Sequence, residues 1–415
     1  MHSLRIITFL FVLSLLPQAI FAGKDSTFRH EIDITGLYFL NADALTNLFA
    51  SRLYLGGRIS ENEKNQVDKR LRYINRFGGD FDYGISWSWS PAEIFGKKNI
   101  RLTTQIRDRL HIDGIFSADL FRLAFYGNKS FAGKTADLGN LRLNQIRYQQ
   151  LNLGMEFMTD SSKNSYGFSL SLIKGENFLR SDVKRASLYT SPDGTFMDLD
   201  IVMEAQRSDT AKKTPLAFNG IGGAIDLFWE MPYLTRYNEG ILTMQLSDFG
   251  FIRWNQNSEH YRIDSSYHYA GINVPGLLNV DNSLNPFNNP DSVFRSQVKY
   301  SREPVVTPLP CVLSILATTY IGKKYIIEKG INYRFFANAR PFYYLGAIRS
   351  FREGKFSTGI NISYGGYGRL NGGLSLEYKL NERFKAEINS YYISGYALWA
   401  KTAGQGAQLT LSGKF

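Results

Sequence analysis

Long segments in which apolar and polar residues alternate place the strongest constraint on the fold of this chain. In the last such segment the two faces carry Ala407, Leu409, Leu411, Gly413 and Phe415 against Gln408, Thr410, Ser412 and Lys414. The same alternation occupies residues 80–89, 150–157, 168–172, 242–246, 360–364 and 374–380. Successive side chains of a β-strand point to opposite faces, so a period of two predicts strands with one apolar and one polar face.

The length of these segments bears on what covers their apolar face. The candidate strands that contain these segments run for about 9 to 14 residues, as tilted membrane-crossing strands do, whereas strands of soluble sheets have about five or six. A soluble sandwich shows the same alternation, so the period alone does not separate lipid from a protein core. Three features favour lipid: export with a single cysteine, polar faces rich in Gly, Ser, Asn and paired charges, and an aromatic C-terminus, Phe415.

We therefore predict an all-β protein that forms a closed antiparallel transmembrane β-barrel of about 14–18 strands. A C-terminal aromatic residue on an alternating strand resembles the insertion signal of bacterial outer-membrane barrels. We expect outer-membrane lipid and the barrel-insertion machinery as partners, with Leu409, Leu411 and Phe415 as the signal on the final strand.

The N-terminus has the three parts of a secretory signal peptide. His2 and Arg5 form a short polar region, residues 6–16 are almost wholly apolar, and Ala19 to Ala22 provide small residues for cleavage. About 11 apolar residues are too few to cross a hydrocarbon core about 30 Å thick as a helix. We expect cleavage after Ala22, which leaves residues 23–415 as one barrel domain in the bacterial outer membrane.

The composition excludes several other classes of protein. The 30 Phe, 25 Tyr, 5 Trp and 37 Gly favour strands, and the mean hydropathy of -0.23 argues against a helical membrane bundle. The single cysteine, Cys311, excludes internal disulfides and cysteine-rich zinc or iron–sulfur sites. The formal net charge is +11. In an exported chain this charge suggests attraction to acidic glycans or lipopolysaccharide-like molecules, and we expect no nucleic-acid partner.

The C-terminal third allows a prediction of strand topology. Candidate strands are residues 311–321, 325–336, 342–352, 355–366, 371–380, 384–397 and 405–415. With Phe415 at the periplasmic rim, the connections at residues 322–324, 353–354 and 381–383 fall on the periplasmic side, where such barrels have short turns. A long loop region rich in Pro and Asn is predicted at residues 273–310, with most of its Pro and Asn before residue 293.

One stretch has helical spacing instead. Leu45, Leu48, Phe49 and Leu53 recur at helical intervals, and Ser60 with Glu63 matches a capping box. We predict a helical hairpin at residues 43–74, between the first two strands. Two interpretations remain open: a cap on one end of the barrel, or a plug that enters the lumen.

Charged residues on the polar faces are the candidate lumen residues. The candidates are Asp80, Asp82, Arg101, Gln105, Arg107, Arg109, Glu156, Asp226, Glu230 and Glu377. Facing walls of opposite charge would create a transverse field that selects small polar solutes. Alternatively, these charges simply pair and fill the barrel.

No pattern indicates catalysis. The sequence contains no G-x-S-x-G, H-E-x-x-H or P-loop motif, and His260 and His268 on one strand would lie about 27 Å apart. The acidic pairs Asp80 with Asp82 and Asp198 with Asp200 are more simply explained by a wet lumen than by a calcium site. We expect no enzyme activity, metal or cofactor.

Three short runs carry a family resemblance. They are residues 125–133 (FYGNKSFAG), residues 248–255 (DFGFIRWN) and Pro308-Leu309-Pro310 before a strand, and the chain ends with an alternating strand from Gly404. With these runs the chain resembles an uncharacterised Bacteroidota-type family of outer-membrane barrels, a domain of unknown function. The resemblance implies location and architecture over nearly the whole mature chain and no functional residue. Cys311 departs from the small polar residue expected after the Pro-Leu-Pro turn.

The function expected from these features is that of a channel or transporter for a small solute. The alternative is a barrel without transport that serves as a scaffold or partner in envelope assembly, secretion or surface attachment. The envelope partner of such a scaffold is unknown from the sequence.

Overall fold

A computed structural model describes residues 28–159, 164–212, 214–270 and 299–415. The predicted signal peptide, residues 1–22, lies outside these ranges. The first ten strands in the described ranges are β1 (His30–Ala42), β2 (Ile74–Trp89), β3 (Ile100–Ser117), β4 (Lys134–Asp137), β5 (Leu141–Met158), β6 (Ser165–Thr190), β7 (Met197–Arg207), β8 (Gly220–Leu234), β9 (Glu239–Trp254) and β10 (Glu259–Tyr269). The next nine are β11 (Lys299–Arg302), β12 (Val306–Pro308), β13 (Val312–Ile321), β14 (Tyr325–Arg334), β15 (Phe342–Phe351), β16 (Phe356–Gly365), β17 (Asn371–Lys379), β18 (Phe384–Ser390) and β19 (Gln405–Lys414). Four helices accompany them: α1 (Asn47–Leu55), α2 (Glu61–Asp68), α3 (Ala118–Tyr126) and α4 (Ser394–Ala397).

Fourteen of these strands form a closed antiparallel barrel. Their order around the wall is β1, β2, β3, β5, β6, β8, β9 and then β13 to β19. The last strand, β19, pairs with β1 over ten residue pairs from Glu31 opposite Lys414 to Leu40 opposite Gln405. This contact removes both free edges, so the predicted closed barrel is confirmed with a strand number at the lower bound of the expected range.

The wall extends beyond the barrel at one place. Strand β6 is 26 residues long, and its first half pairs with β5 and β8 inside the wall. Its second half, from Leu179, pairs with β7, which pairs in turn with β10. The short strand β11 adds to β10, and β4 adds to the end of β6. The result is a small sheet that continues from the barrel at the end opposite the described termini.

The predicted loop region at residues 273–310 is only partly described. Residues 271–298 lie outside the described ranges. The prediction of loop is wrong for residues 299–302 and 306–308, which form β11 and β12. These short segments become strands because they find partners on the edges of β10 and β9, a long-range pairing that local sequence does not encode.

The two faces of the wall differ as the alternation predicts. Leu153, Leu170 and Ile360 are more than half exposed on the outer face, where lipid would cover them. Polar residues take the inner face. An exception is Asp108, which lies on the outer face and forms an ion pair with Arg147 of β5 at 3.3 Å. Arg147 in turn lies 3.5 Å from Glu176, so this outward charge is neutralised locally.

The last seven strands match the predicted segments closely. The connections at residues 322–324, 352–355 and 380–383 are short and lie at the barrel end that holds residues 30 and 415. The strand predicted at residues 384–397 is wrong after Ser390. The Ser390 hydroxyl donates to the carbonyl of Gly406 at 2.6 Å and accepts from the amide of Tyr392 at 3.2 Å, which ends the regular ladder.

The helical hairpin predicted at residues 43–74 is present as α1 and α2. Ser60 and Glu63 form the expected capping box, with distances of 2.6 and 3.3 Å. The hairpin lies at the loop end of the barrel, where Phe49 and Val67 pack against Phe121 of α3. No helix of the described residues is long and apolar enough to cross a membrane.

A charge placed on the outer face of the wall tests whether lipid covers it. We expect Ile360→Arg to destabilise the barrel in lipid vesicles by about 2–4 kcal/mol, since a cation near the bilayer midplane is costly. Asn361→Arg, one residue away on the inner face, should cost much less. Urea unfolding followed by tryptophan fluorescence gives both values, and equal costs at the two positions would contradict a lipid-covered outer face.

Candidate functional site

Among the described residues, three cavities on the inner face of the barrel concern the site. A lower cavity of about 610 Å³ lies near the end that holds the termini and is lined by residues such as Glu31 and Lys414. A central cavity of about 340 Å³ shares Asn389 and Tyr391 with it. An outer cavity of about 380 Å³ lies near the loop end. In the described chain α1 and α2 line none of these cavities and pack against α3 at the loop end, so we call the hairpin the cap.

One ion pair spans the lumen between the outer and central cavities. Arg334 at the end of β14 donates from Nη1 to Oδ1 of Asp80 at 3.0 Å and from Nη2 to Oδ2 at 2.5 Å. Strands β2 and β14 are seven places apart in either direction around the fourteen-strand wall, so they are diametrically opposed. Two side chains bridge them, so the opposite walls must approach each other at this level.

Further side chains complete this layer, which we call the septum: Asp80, His111, Asp113, Arg334, Asn338 and Tyr367. His111 contacts Asp80 through Nδ1 and Asp113 through Nε2, the latter at 2.9 Å. The backbone amide of Asn338 donates to Asp113 at 3.0 Å. Asn338 and Tyr367 come from the loops after β14 and β16, so loops as well as both walls build the septum.

Tyr367 enters the lumen because β2 offers space for its ring. A Cβ atom added at Gly78 would lie 2.6 Å from two carbons of the Tyr367 ring, so only glycine fits there. The ring is 3% exposed, and its hydroxyl lies 3.3 Å from Nε2 of His111. Gly78 on β2 therefore leaves the space that the ring of Tyr367, from the loop after β16, occupies.

A second charged network lies beside the central cavity. Asp82 pairs with Arg107 and also with Nε of Arg109 at 3.1 Å. Arg109 reaches further to Asp248, which also accepts from Gln150 at 3.1 Å. These pairs neutralise the arginines of β3 and hold their side chains along one wall of the cavity.

A further part of the central cavity is apolar and aromatic. Its lining includes Leu37, Phe39, Phe342, Tyr391 and Tyr392. Phe39 stacks on Tyr392 with a centroid distance of 6.0 Å, and Phe342 meets Tyr391 edge to face at 5.6 Å. The central cavity therefore presents both charged groups and aromatic rings.

The strand registers place all ten candidate lumen residues on the inner face. Asp82, Gln105, Arg107 and Arg109 line the central cavity, and Asp80 belongs to the septum. The other five candidates lie outside the central cavity. Glu377 lines the lower cavity, Arg101 pairs with Glu31 at 2.7 Å, and Glu156 lies opposite Arg101 on β5. Glu230 accepts a hydrogen bond from Thr243 at 3.2 Å, and Asp226 accepts one from Ser169 at 2.7 Å. The arginines on β3 meet acids directly, so the charges pair instead of forming two separate walls. A functional role for these residues stays a prediction.

Several members of the septum and its neighbours are absent from the residues predicted from the sequence. His111 and Asp113 continue the face of Arg107 and Arg109, so extending that alternation by two steps would have included them. Asp248 gave no such signal, because it lies at a β-bulge with a left-handed backbone (φ 60°), where alternation is interrupted. Arg334 gave no signal either, because the sequence does not tell which strand lies opposite β2 across the lumen.

Residues 27–385 match the model of DUF5723, a family of unknown function. The chain belongs to this family. The resemblance to an uncharacterised barrel family is thus confirmed, while a Bacteroidota origin stays a prediction. No curated protein matches the sequence.

Several solved outer-membrane barrels are similar in architecture to this DUF5723 member. The toluene transporter TodX of Pseudomonas putida is 9% identical, with 93% of this chain and 90% of that chain covered and a TM-score of 0.42. A FadL homologue of Pseudomonas aeruginosa is 8% identical, with 93% and 90% covered and a TM-score of 0.39. The translocator domain of the autotransporter NalP from Neisseria meningitidis is 5% identical, with 93% and 88% covered and a TM-score of 0.35.

Removal of one partner of the cross-lumen ion pair should destabilise the barrel. We expect Arg334→Met to cost up to about 3–5 kcal/mol of unfolding free energy, since it leaves the buried Asp80 without its main counter-charge. The double variant Asp80→Asn/Arg334→Met should recover most of this loss. Arg142→Met, which breaks a largely exposed pair with Asp182, should cost below about 1 kcal/mol.

Urea unfolding in lipid vesicles measures all three values. Equal costs for Arg334→Met and Arg142→Met would show that the cross-lumen pair carries no special weight in stability.

Proposed function

We propose that this protein is a channel of the bacterial outer membrane that passes a small polar or amphipathic solute through its lumen. The observation that carries the proposal is the arrangement of cavities along the barrel axis. The lower and central cavities share lining residues, and septum residues line both the central cavity and the outer one. A solute would need to displace one layer of side chains to cross.

The septum has the properties of a gate. Its contacts are side-chain contacts and hydrogen bonds from two loops, and none is part of the barrel ladder. Side chains and loops rearrange on timescales from picoseconds to microseconds, whereas the paired strands of the wall stay fixed. Opening would therefore require Arg334 to leave Asp80 and Tyr367 to leave Gly78, without any change in the barrel.

The location in the outer membrane rests on the wall itself. A band of exposed apolar side chains covers its outer face, and Leu411 and Phe415 of the closing strand are exposed there. Open edges are excluded in a bilayer because unpaired backbone groups are too costly there, and the β1–β19 pairing meets this requirement. Export by residues 1–22 and recognition of Leu409, Leu411 and Phe415 by the insertion machinery belong to the same proposal.

A second candidate function is a barrel without transport that acts as a scaffold or partner in the envelope. The septum favours this candidate as well, because paired charges fill the lumen at one level. In neither proposal does the protein carry out catalysis.

Conductance separates the two functions. We expect the purified wild-type protein to show small or intermittent conductance in planar bilayers, since the septum closes the bore most of the time. Asp80→Ser/Arg334→Ser should increase the conductance several-fold, because both bridging side chains are shortened.

The matched control is Asp68→Ser/Arg122→Ser, which removes an ion pair of the cap at 2.8 Å, away from the lumen lining. This variant should conduct as the wild type does. Absence of conductance in the wild type and in the septum variant would exclude passage through the lumen and favour the scaffold.

A further inference from the structure

Arginines converge at the outer mouth of the lumen from three separate connections. We call Arg70, Arg72, Arg76, Arg340 and Arg369 the arginine cluster. Arg70 and Arg72 lie between α2 and β2, Arg76 is the third residue of β2, Arg340 lies between β14 and β15, and Arg369 lies between β16 and β17. Their meeting point is Asp43, which pairs with Arg340 and accepts from the backbone amide of Arg76 at 3.2 Å.

The cluster has far more positive than negative charge. Among the described residues Asp43 is the only carboxylate in an ion pair with any of the five arginines. Arg369 donates to the carbonyl of Arg70 at 2.5 Å, and Arg70 donates to the carbonyl of Lys401 at 3.0 Å. These carbonyls hold the guanidinium groups in place without neutralising them.

Several donors of the cluster have no acceptor. The Nε atoms of Arg76, Arg340 and Arg369 are buried and make no hydrogen bond. Buried donors are almost always satisfied in proteins, so three orphaned donors in one place require an explanation. An anion bound among them would accept these hydrogen bonds.

Burial and the neighbouring charges bear on the pKa values of the loop arginines. The pKa of Arg369 is lowered by burial and by the neighbouring charges of Arg72, Arg70 and Arg340, although Asp43 opposes the shift. Burial also lowers the pKa of Arg70. The arginines therefore lie close together although their mutual repulsion is unfavourable, and a bound anion would offset that repulsion.

We propose that the arginine cluster binds a phosphate group of a solute before it enters the central cavity. A guanidinium offers a planar fork of donors that matches phosphate oxygens, and a doubly charged anion suits a site where several forks meet around one acid. The phosphate could belong to a free solute or to a lipopolysaccharide headgroup. The position favours a solute, because Arg340 lines the central cavity and Arg76 shares the inner face of β2 with Gly78 and Asp80.

The entry role rests on the proposed channel function, but the binding itself does not. Calorimetric titration of the full-length protein in detergent with inorganic phosphate tests binding without any need for transport. A protein that binds phosphate and fails to conduct would refute the channel alone, and one that conducts and fails to bind would refute this site alone.

The first variant is Arg369→Gln, whose side chain in the described chain donates a hydrogen bond to the carbonyl of Arg70 and pairs with no carboxylate. We expect its phosphate affinity to fall by about tenfold or more, as loss of one charge-assisted hydrogen-bond donor does. The control is Arg58→Gln, an exposed arginine in the connection between β1 and β2 that also carries Arg70 and Arg72; this variant should bind within about twofold of wild type. Heat-dependent gel mobility shows that each variant is a folded barrel.

The second variant is Asp43→Asn, which removes the competing carboxylate and keeps an oxygen that can accept from the amide of Arg76. It should bind phosphate more tightly than the wild type, a gain that a merely damaged fold would not produce. Absence of saturable phosphate binding in the wild type, or an equal loss in Arg58→Gln, would overturn the proposal. Binding to vesicles that contain lipopolysaccharide, without binding of inorganic phosphate, would also overturn it and assign the site to a lipid headgroup.

Discussion

The pairing of β19 with β1 is the interaction on which the rest of the molecule depends. In hydrocarbon an unpaired amide or carbonyl has no water to bind, so a sheet can exist there only if its first and last strands meet. Ten residue pairs between Glu31–Leu40 and Gln405–Lys414 make that contact. Once the wall is closed, the alternation directs the polar side chains into the interior of the barrel. The candidate functional residues therefore lie in the interior.

The interior of a fourteen-strand wall poses a packing problem that explains the septum. Small barrels fill with side chains and the largest leave an open channel, while this wall has an intermediate number of strands. Here long side chains reach across: Arg334 meets Asp80 from the opposite wall, and the ring of Tyr367 lies on Gly78. Charged groups suit this task because they are long, and because paired charges satisfy each other where little water remains. The same pairs can separate when water or a solute enters.

The sequence predicted the wall well and the closure of the lumen poorly, for a physical reason. Alternation is local, so strands such as β13 to β17 were found within one or two residues, and Ser60 with Glu63 identified α2 through contacts three residues apart. The septum depends on which strand stands opposite which, a property of barrel size and register that no local pattern contains. Asp248 was hidden for a related reason, since its bulge interrupts the alternation on which every inward assignment relied. Tyr367 lies in a loop and has no period at all.

The distribution of charge along the lumen then distinguishes two kinds of site. Beside the central cavity each arginine has an acid: Arg107 has Asp82, and Arg109 has Asp82 and Asp248. At the outer mouth Asp43 pairs with Arg340, and among the described residues no other carboxylate pairs with any of the five arginines of the cluster. Pairing of charges is therefore the rule of this interior, and the chain departs from it at the point where a solute from outside would first arrive. A surplus of cations with unpaired hydrogen-bond donors disfavours folding. Its position at the entrance is therefore better explained by binding of an anionic solute than by a contribution to the stability of the barrel.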